Sequence, residues 1–459
     1  MPLIKSISGI RGTLKGDKDS CLTLDVIKKF TSSFIQHLKN INNNKYISIA
    51  VGRDGRVSGK KICETICQVS CNMGIKIIDL GYSTTPSVEV FIEQENLDGG
   101  IMISASHNGI EWNALKLFNS KGEFISKEDF DSINSIIEKN SFNHEDAKSV
   151  GKVITNSHSI EQHIELILSN KLVNINKIKN AKFRIVVDGI NSTGGIAVPY
   201  LLESLNIDVV KLNCEPDGNF IHDPEPLEKN LIELSKSVVK NSADLGIAVD
   251  PDVDRLAFID EKGTYFGEEY TLIACADYVL NNNPGPTVSN LSSTKALREL
   301  TEIKGCNYFY SAVGEVNVVE MMKSKNAVIG GEGNGGVIFP SIHYGRDALI
   351  GIVLFLSHLV EKKCSVSNLR KQYPSYYMAK KKLDINNVSF KKIFNKLKIE
   401  YADSEIIEID GLKIIFKDSS WVHLRKSNTE DIIRIYSEAD SLLKANKIAD
   451  EVINLIHNF

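Results

Sequence analysis

The feature that most constrains the fold is an alternation of short apolar runs with segments of helical period, which repeats three times along the 459 residues. The first series covers residues 46–104, the second residues 183–249 and the third residues 268–362. Such alternation is typical of α/β domains, in which helices cover largely parallel sheets. The pattern changes from about Val366, where strand-like runs are followed by a terminal helical segment. The sequence therefore predicts three similar units followed by one of different architecture.

We predict four domains from this pattern. Three are α/β domains with mixed, largely parallel sheets, and the fourth is a smaller C-terminal α+β domain. At about 150 residues per domain, the length suggests roughly three units and is compatible with four. A polar stretch near residues 140–152 ends the first series. The expected domains are residues 1–150, 151–255, 256–365 and 366–459.

Charge and apolar patterning exclude several classes of protein. The net charge of −4 and the pI of about 6.2 give no general footprint for nucleic acid or an anionic membrane. Residues 348–360 form the longest apolar stretch, which is shorter than the roughly 20 residues of a membrane span and predicts a buried helix. Because the chain has eight cysteines without a CxxC pair and no signal-like start, we expect a cytoplasmic protein.

Three cysteines, Cys63, Cys67 and Cys71, recur at every fourth residue. On a helix this spacing places three thiols on one face. Metal binding is one interpretation, but we favour packing against the core, because small buried residues show this spacing far more often.

An acidic loop follows the strand-like run that ends at residue 249. Asp250, Asp252 and Asp254 alternate there, so their carboxylates can converge on a hard divalent cation such as Mg²⁺. A calcium-binding EF-hand is the rival interpretation, since Glu261 stands at the twelfth position of the loop. Against it, Arg255 stands where the EF-hand needs glycine, and the flanks are strand-like. A solvated acidic turn is the non-functional alternative.

A glycine-rich loop at residues 331–336 satisfies the pattern G-x-G-x-x-G. A dinucleotide site would require a helix after it, whereas a strand-like segment follows. The loop presents Glu332 and Asn334, a carboxylate and an amide suited to the hydroxyls of a polar ligand. A flexible turn is the alternative.

Two further loops carry weaker signals. Ser106 and His107 follow a strand, but adjacent side chains on an extended backbone point apart, so the pair is poor evidence for a hydrolase. Residues 425–430, with Arg434 beyond them, gather cations, hydroxyls and an amide. Such a cluster can hold a phosphate through forked guanidinium contacts, although a solvated turn has the same composition.

Five loops taken in order resemble the α-D-phosphohexomutase family, which includes phosphoglucomutases, phosphomannomutases and phosphoglucosamine mutases. The resemblance spans almost the whole chain and implies four domains around a central cleft. The loops that carry it are S-G-I-R-G at residues 8–12, S-A-S-H-N at 104–108, D-x-D-x-D-R at 250–255, G-E-G-N-G at 331–335 and R-x-S-N-T-E at 425–430.

The resemblance implies a role for each residue. Ser106 would be the phosphoserine and, with the three aspartates, would bind Mg²⁺, while Arg255 would contact the transferring phosphoryl group. A bisphosphorylated sugar would be the intermediate and the activator, and the partner would be a small sugar phosphate. Arg11, Lys116 and His107 would adjoin the phosphoserine. The sugar and its second phosphate would be bound by Glu332, Asn334, Arg425, Ser427, Asn428, Thr429 and Arg434.

The chain departs from the family at several positions. Gly336 and Glu315 stand where many members carry histidine, which leaves Lys116, His107 and His343 as candidates for the general acid or base. Other departures are Gly109, Pro251 and Val253 where proline or glycine is usual, and Asp431 in place of a common proline.

The predicted substrate is glucosamine phosphate, converted between its 6- and 1-phosphates. The glycine-rich loop is similar to that of the glucosamine-type members, and a carboxylate at Glu332 gains most from a protonated amine. Mannose and glucose phosphates are the first alternative. A non-catalytic sugar-phosphate-binding protein is the second.

Overall fold

The computed structural model describes residues 3–16, 21–43, 46–141, 151–384, 389–426 and 432–458. Within these residues, four sheets follow one another along the chain. Three are mixed sheets covered by helices, and the last is antiparallel. This architecture confirms the predicted fold class of three α/β domains and a smaller C-terminal domain.

The first domain contains β1 (Ile4–Ser6), β2 (Gly9–Thr13), α1 (Leu24–Ile41), β3 (Ser48–Arg53), α2 (Gly59–Asn72), β4 (Lys76–Tyr82), α3 (Thr85–Gln94), β5 (Gly99–Ile103), β6 (Trp112–Phe118), α4 (Lys127–Lys139) and β7 (Lys152–Thr155). The sheet order is β1-β2-β6-β5-β3-β4-β7. Strands β5, β3, β4 and β7 pair in parallel, whereas β1, β2 and β6 form an antiparallel edge. The sequence pattern did not predict this edge, which carries Arg11 and Lys116.

The second domain contains α5 (Ser159–Ser169), α6 (Ile175–Ala181), β8 (Arg184–Asp188), α7 (Gly194–Ser204), β9 (Asp208–Leu212), a short 3₁₀ helix (Glu228–Asn230), α8 (Ile232–Lys240), β10 (Leu245–Val249) and β11 (Leu256–Asp260). Its sheet order is β11-β10-β8-β9. Strand β11 runs antiparallel to β10, so the acidic loop between them is the tip of a hairpin.

The third domain contains α9 (Glu268–Asn282), β12 (Thr287–Asn290), α10 (Ala296–Ile303), β13 (Tyr308–Ser311), α11 (Glu315–Lys325), β14 (Ile329–Glu332), β15 (Gly336–Ile338) and α12 (Ala348–Lys362). Its sheet order is β13-β12-β14-β15. Helix α12 is the apolar stretch predicted to be a buried helix. Asp347 caps its first turn, with Oδ1 accepting from the amides of Leu349 and Ile350.

The fourth domain contains α13 (Val366–Arg370), β16 (Tyr377–Asp384), α14 (Phe390–Glu400), β17 (Glu405–Ile407), β18 (Leu412–Ile415), β19 (Trp421–Lys426), β20 (Ile432–Ala439) and α15 (Leu442–His457). Its antiparallel sheet has the order β16-β20-β19-β18-β17. The apolar face of this sheet packs against α15.

Sheet membership differs from the expected domain boundaries at two points. Strand β7 lies beyond residue 150 but pairs with β4 in the first sheet. Strand β11 lies beyond residue 255 but pairs with β10 in the second. Both strands return to a sheet after a polar segment, and the sequence pattern alone places a boundary at such a segment.

Two expectations drawn from apolar patterning can be compared with the structure. Cys63 is buried and Cys67 and Cys71 are half-buried on α2, where all three contact the core of the first domain, as predicted. In the part of the chain that the structure describes, no helix is long and apolar enough to cross a membrane.

Candidate active site

Loops from the four domains line one cleft of about 510 Å³. Strand β5 leads into the serine loop, β10 leads into the acidic loop, and β14 ends at Glu332. Open α/β sheets gather ligands at such carboxyl ends. The predicted residues that line the cleft are Arg11, Ser106, His107, Lys116, Arg255, Glu332, Asn334, Arg425 and Arg434.

Ser106 lies in a tight turn whose backbone φ of +50° falls in the left-handed region. Its Oγ donates to Asp250 Oδ2 at 2.7 Å and lies 3.3 Å from His107 Nδ1. We expected adjacent side chains to point apart, but that holds for extended backbone, and the left-handed turn brings this pair together. Ser104 Oγ accepts from the amide of Ser106 at 2.9 Å. Backbone strain held by several contacts is typical of functional positions.

The buried side chain of Arg56 holds the serine loop in place through hydrogen bonds to its backbone. Its guanidinium donates to the carbonyl of Ser106 at 2.8 Å and to that of Asn108 at 2.5 Å, and it pairs with Asp54. Arg11 Nη1 donates to Asn108 Oδ1 at 2.6 Å. Burial lowers the pKa of Arg11 to about 10, which leaves its guanidinium charged at neutral pH. The serine therefore lies between two cations.

The carboxylates of Asp250, Asp252 and Asp254 lie directly beneath the cleft and are at most 1% exposed. Their ligand oxygens lie within 4.8 Å of one another. Burial, and then the charges of Asp254 and Asp252, raise the pKa of Asp250. Oδ1 of Asp252 and Oδ1 of Asp254 accept no hydrogen bond from any described residue. Orphaned buried oxygens beside a third carboxylate fit a hard divalent cation.

The acidic loop joins the antiparallel strands β10 and β11, so the EF-hand alternative, which needs a helix on each side, is wrong. Val253 takes a φ of +65° in this loop, at a position where the family usually carries glycine. The left-handed region is costly for a β-branched residue. Complete burial of the Val253 side chain in the core offsets part of that cost.

Lys116 reaches from β6 of the first domain into the acidic loop of the second. Its Nζ donates to Asp252 Oδ2 at 2.6 Å, to Asp254 Oδ2 at 3.1 Å and to Thr85 Oγ1 at 3.2 Å. Burial alone would lower the pKa of Lys116, but the two aspartates outweigh it and raise the pKa. Despite burial, Arg346 and Lys116 hold the pKa of Asp254 well below its usual range. The first two domains are therefore joined by an ionic network.

Arg346, which the sequence analysis did not single out, connects three segments around the cleft. Its Nη2 donates to Asp254 Oδ2 at 2.8 Å and its Nη1 to Glu332 Oε2 at 3.2 Å. Its Nε donates to Glu315 Oε2 at 3.0 Å, and its backbone amide donates to Glu315 Oε1 at 2.8 Å. One guanidinium thus faces three carboxylates from the second and third domains.

Arg346 contacts both of the positions, Gly336 and Glu315, at which the resemblance places a histidine in many members. A Cβ on Gly336 would lie 2.4 Å from Arg346 Cδ, so the arginine already fills the space beside the glycine. Glu315 is the counter-ion of the same arginine. In this chain, a cation from the segment before α12 therefore lies beside both positions.

Glu332 ends β14 with most of its hydrogen-bonding capacity in use. Its Oε1 accepts from Asn290 Nδ2 at 2.8 Å and from the amide of Gly314 at 3.1 Å. Asn334 lines the cleft two residues later, at the tip of the β14–β15 hairpin. A strand follows the glycine-rich loop, so the dinucleotide interpretation is excluded.

At the far end of the cleft, Arg425 on β19 lies directly opposite Arg434 on β20. Like charges at opposed positions repel, so this pair costs stability unless an anion lies near. Arg425 Nε lies 3.0 Å from Asp410 Oδ2, but the Nε atoms of both arginines lack a well-aligned hydrogen bond to any described residue. Three other residues predicted for this site lie outside the described part of the chain: Ser427, Asn428 and Thr429.

The structure separates the candidates for proton transfer. His343 is 5% exposed and lies between Glu89 and Asp347, outside the described lining of the cleft. His107 does line the cleft, and burial, with Arg255 nearby, lowers its pKa to about 2. His107 is therefore a neutral imidazole beside Ser106.

The residues that sequence reasoning missed belong to no short motif. Arg56 follows β3 and Thr85 begins α3 in the first domain, whereas Asn290 ends β12 in the third, and only the folded chain brings them to the groups of the site. The sequence contains one local feature that could have identified Arg346. This residue directly precedes Asp347, a recognisable helix cap, and follows the β14–β15 hairpin.

Comparison with known families matches all four domains. The descriptions are phosphoglucomutase/phosphomannomutase alpha/beta/alpha domain I for residues 3–144, domain II for residues 161–263, domain III for residues 267–377 and the C-terminal domain for residues 362–455.

Individual relatives match over nearly the whole length. A phosphoglucomutase/phosphomannomutase of Thermococcus kodakarensis is 33% identical, over 98% of this chain and 97% of its own. A probable phosphoglucosamine mutase of Methanopyrus kandleri is 30% identical, over 89% of this chain and 90% of its own. The crystal structure of a phosphoglucomutase/phosphomannomutase family protein of Burkholderia thailandensis has the same fold, with a TM-score of 0.84 at 23% identity over 99% of this chain and 98% of its own. The chain therefore belongs to the phosphoglucomutase/phosphomannomutase family and is a phosphohexomutase, an isomerase that transfers a phosphoryl group within a sugar phosphate.

Proposed function

We propose that this phosphohexomutase interconverts glucosamine 6-phosphate and glucosamine 1-phosphate, with Ser106 as the phosphoryl carrier. The observation that supports the carrier is the position of Ser106 Oγ, which lies 2.7 Å from a carboxylate of the acidic loop. Arg11, Arg255 and His107 line the cleft around it. Phosphoryl transfer depends on positioning and charge neutralisation, and these groups provide both.

The reaction consists of two transfers at the serine. A sugar hydroxyl oxygen bonds to the phosphorus as the bond to Ser106 Oγ breaks, and the hydroxyl proton passes to a base. The bisphosphorylated sugar then turns end for end. In the second transfer, Ser106 Oγ bonds to the other phosphorus while the sugar oxygen leaves and takes up a proton. The added bisphosphorylated sugar acts as an activator because it phosphorylates any serine that has lost its phosphate.

His107 and Lys116 are the two candidates for proton transfer at the serine end of the cleft. Despite burial, two aspartates raise the pKa of Lys116, so its ammonium group can donate a proton to the leaving oxygen but cannot accept one from the attacking hydroxyl. Burial first, and then the charges of Arg255 and Arg11, lower the pKa of His107, which favours the neutral imidazole. The approach of a phosphate would offset the part of this shift that comes from the guanidinium charges. Lys116 is held by two aspartates. Comparing the pH profiles of His107→Gln and Lys116→Met separates them, because loss of the group that transfers the proton removes one limb of the kcat profile.

The three aspartates are the proposed Mg²⁺ ligands, with a phosphoserine oxygen completing the set. They offer only oxygen atoms, which Mg²⁺ prefers, and two of those oxygens otherwise lack a partner. A bound Mg²⁺ supplies neutralisation of the charge on the transferring phosphoryl group. Arg255 belongs to the same loop as the aspartates, and its Nη1 donates to Glu225 Oε1 at 2.9 Å. We expect its guanidinium to turn from Glu225 to the transferring phosphoryl group when the substrate binds.

The far end of the cleft is the proposed site of the phosphate that does not react. Arg425 and Arg434 are paired across two strands with Asp410 beside Arg425, and an anion between or above the two arginines would relieve the repulsion that remains. Ser427, Asn428 and Thr429 follow Arg425 in the sequence and complete the proposed phosphate loop.

The choice of glucosamine depends on charge near Glu332. Asp254, Glu315 and Glu332 share the guanidinium of Arg346. Asp254 also pairs with Lys116, which pairs with Asp252 as well. Four carboxylates therefore face two cations, so this part of the cleft has an excess of negative charge. A protonated 2-amino group gains more from that excess than a hydroxyl does. Glu332 accepts three hydrogen bonds already and has capacity for about one more.

The names of the relatives support two substrate classes. One is named for glucosamine, whereas the more identical one is named for glucose and mannose. Glucose and mannose phosphates are therefore the second candidate substrates. A binding protein without turnover has less support, because the chain keeps the serine, the three aspartates and Arg255.

The deciding experiment is a comparison of kcat/KM for the 1-phosphates of glucosamine, glucose and mannose, each with a trace of its own bisphosphate. We expect the highest value for glucosamine 1-phosphate. A glucosamine value below both others would reject the substrate and leave the mutase intact. A Glu332→Gln variant sharpens the test, because it should lower the glucosamine value more than the other two.

A further inference from the structure

A second cluster of metal-ligating side chains lies behind the active site, where the first three domains meet. His163 is on α5, Asp347 caps α12, and His343 lies in the loop between β15 and α12. Glu89 approaches from α3 of the first domain. All four side chains are at least 95% buried, and the mutase reaction uses none of them.

The distances within the cluster fit a tetrahedral metal site. His163 Nε2 lies 3.1 Å from Asp347 Oδ2, and His343 Nε2 lies 3.5 Å from the same oxygen. Ligand atoms of all three residues lie within 4.8 Å of one another. In a tetrahedral zinc site with bonds of about 2.0–2.1 Å, neighbouring ligand atoms are separated by about 3.3–3.4 Å. The observed spacings lie on either side of that value.

The same atoms lack hydrogen-bond partners. His163 Nε2, His343 Nε2 and Asp347 Oδ2 are buried, and none makes a well-aligned hydrogen bond to any residue that the structure describes. His343 Nδ1 and both carboxylate oxygens of Glu89 beside it also lack a well-aligned hydrogen bond to any described residue. Buried polar atoms are nearly always satisfied, so the three atoms that face one another indicate a missing partner. A cation at their centre would satisfy all three together.

The outer contacts orient the ligands as in known metal sites. The other ring nitrogen of His163 lies 3.1 Å from Ser87 Oγ, and that of His343 lies 3.2 Å from Glu89 Oε2. Asp347 Oδ1 is occupied by the first turn of α12, which leaves Oδ2 for a ligand. A carboxylate or hydroxyl behind each imidazole is the usual support for a histidine that binds a metal.

We propose that His163, His343 and Asp347 form a second metal site, which binds a zinc-type divalent cation through two imidazole nitrogens and one carboxylate oxygen. Imidazole ligands favour zinc and similar transition ions, whereas the all-oxygen acidic loop favours Mg²⁺. Three protein ligands leave one tetrahedral position for water. The ion would stabilise the contact between the second and third domains, because His163 comes from one and His343 and Asp347 from the other.

The competing arrangement is a network of charges without metal. Burial lowers the pKa of His343, but Asp347 and Glu89 raise it to about 10, so without a cation the ring would be an imidazolium between two carboxylates. A metal ion displaces that proton. Metal content distinguishes the two arrangements directly.

The test is zinc content of the full-length protein, purified from zinc-supplemented medium and dialysed against buffer that contains Mg²⁺. We expect one zinc ion per chain in the wild type and near-complete loss in His163→Gln and Asp347→Asn. The asparagine keeps the Oδ1 that caps α12. His358→Gln is the matched control, since His358 is also buried and lies 3.2 Å from an aspartate oxygen, but hydrogen-bonds to Tyr373. His358→Gln and Asp252→Asn should both retain zinc.

Two outcomes overturn the proposal. One is a wild type that binds no zinc after this treatment, and the other is zinc that remains in both ligand variants. If the variants fail to fold, the wild type still decides, because X-ray absorption at the zinc edge must show scattering from two imidazole rings. A zinc spectrum without imidazole scattering would place the ion elsewhere and reject the site.

Discussion

The two ends of the cleft hold their charges differently. At the serine end, Lys116 and Arg346 pair with the aspartates of the acidic loop at 2.6–3.1 Å, in surroundings that are almost fully buried. At the far end, Arg425 and Arg434 stand opposite each other, and Asp410 is the carboxylate beside them. Arg425 keeps 21% of its side chain exposed.

This difference indicates how each end works. The serine end is assembled by the protein itself, so its groups keep their positions before the substrate arrives. The far end has two arginines beside one carboxylate, Asp410, so an anionic ligand would neutralise the remaining positive charge. Substitutions at the serine end should therefore lower kcat, and substitutions at the far end should weaken binding.

The largest effect is expected for Ser106→Ala, which removes the proposed phosphoryl carrier. Turnover should fall by roughly 10⁴-fold or more, as when other covalent nucleophiles are lost. Intact-mass and peptide mapping of the wild type should find one phosphate on the peptide that contains Ser106. Ser104→Ala, in the same loop, should keep that phosphate. Near-normal turnover of Ser106→Ala would contradict the mechanism.

The next effect is expected for Asp252→Asn, which removes one charge from the acidic loop. Turnover at saturating sugar phosphate should fall roughly 10²- to 10³-fold, comparable to the loss of one charge-stabilising group in other enzymes. The Mg²⁺ concentration for half-maximal activity should rise. Asp277→Asn is the control, because Asp277 is a buried, ion-paired carboxylate outside the described cleft. Full wild-type activity in excess chelator would contradict the proposed Mg²⁺ site.

A smaller effect is expected for Arg346→Lys, which tests whether the contacts of Arg346 with three carboxylates support catalysis. An ammonium group cannot contact three carboxylates through a planar fork, so kcat should fall roughly 10- to 100-fold. Gly336→Ala should lower kcat in the same direction because its Cβ meets the arginine side chain. Arg298→Lys changes an exposed ion pair and is the control. An unchanged kcat in both cleft variants would make Arg346 a purely structural residue.

The accuracy with which the sequence predicts strands, loops and strand pairings also differs between regions of the fold. The parallel strands and the three loops at their ends follow from local periodicity, because each strand and its loop are contiguous in the chain. The antiparallel edge formed by β2 and β6 was missed, since a pairing between residues about 100 positions apart leaves no local signal.

The site follows the same division. Ser106, the aspartates and Glu332 belong to contiguous motifs and were predicted from the sequence, Ser106 only through the family resemblance. Arg346 was not, because its three partners come from separate segments, at residues 254, 315 and 332. His343 was proposed as a candidate general acid or base from its residue type alone, but in the folded chain it is buried behind the cleft. Residue type and spacing therefore predict ligands within a loop, but not the cations that connect the loops.

The smallest effect is expected for Arg425→Lys, at the far end of the cleft, where we propose that the phosphate that does not react is bound. Lysine keeps the charge but loses the forked donors that match a phosphate, so glucosamine 6-phosphate should bind more weakly by roughly 1–3 kcal/mol. The kcat value should change little, because the reacting phosphoryl group lies at the other end. Calorimetry with Ser106→Ala as the background measures binding without turnover, and Arg184→Lys, an exposed pair with Asp208, is the control. If neither Arg425→Lys nor Arg434→Ala weakens binding in that background, the second phosphate is held elsewhere and the two ends do not divide the work between binding and catalysis.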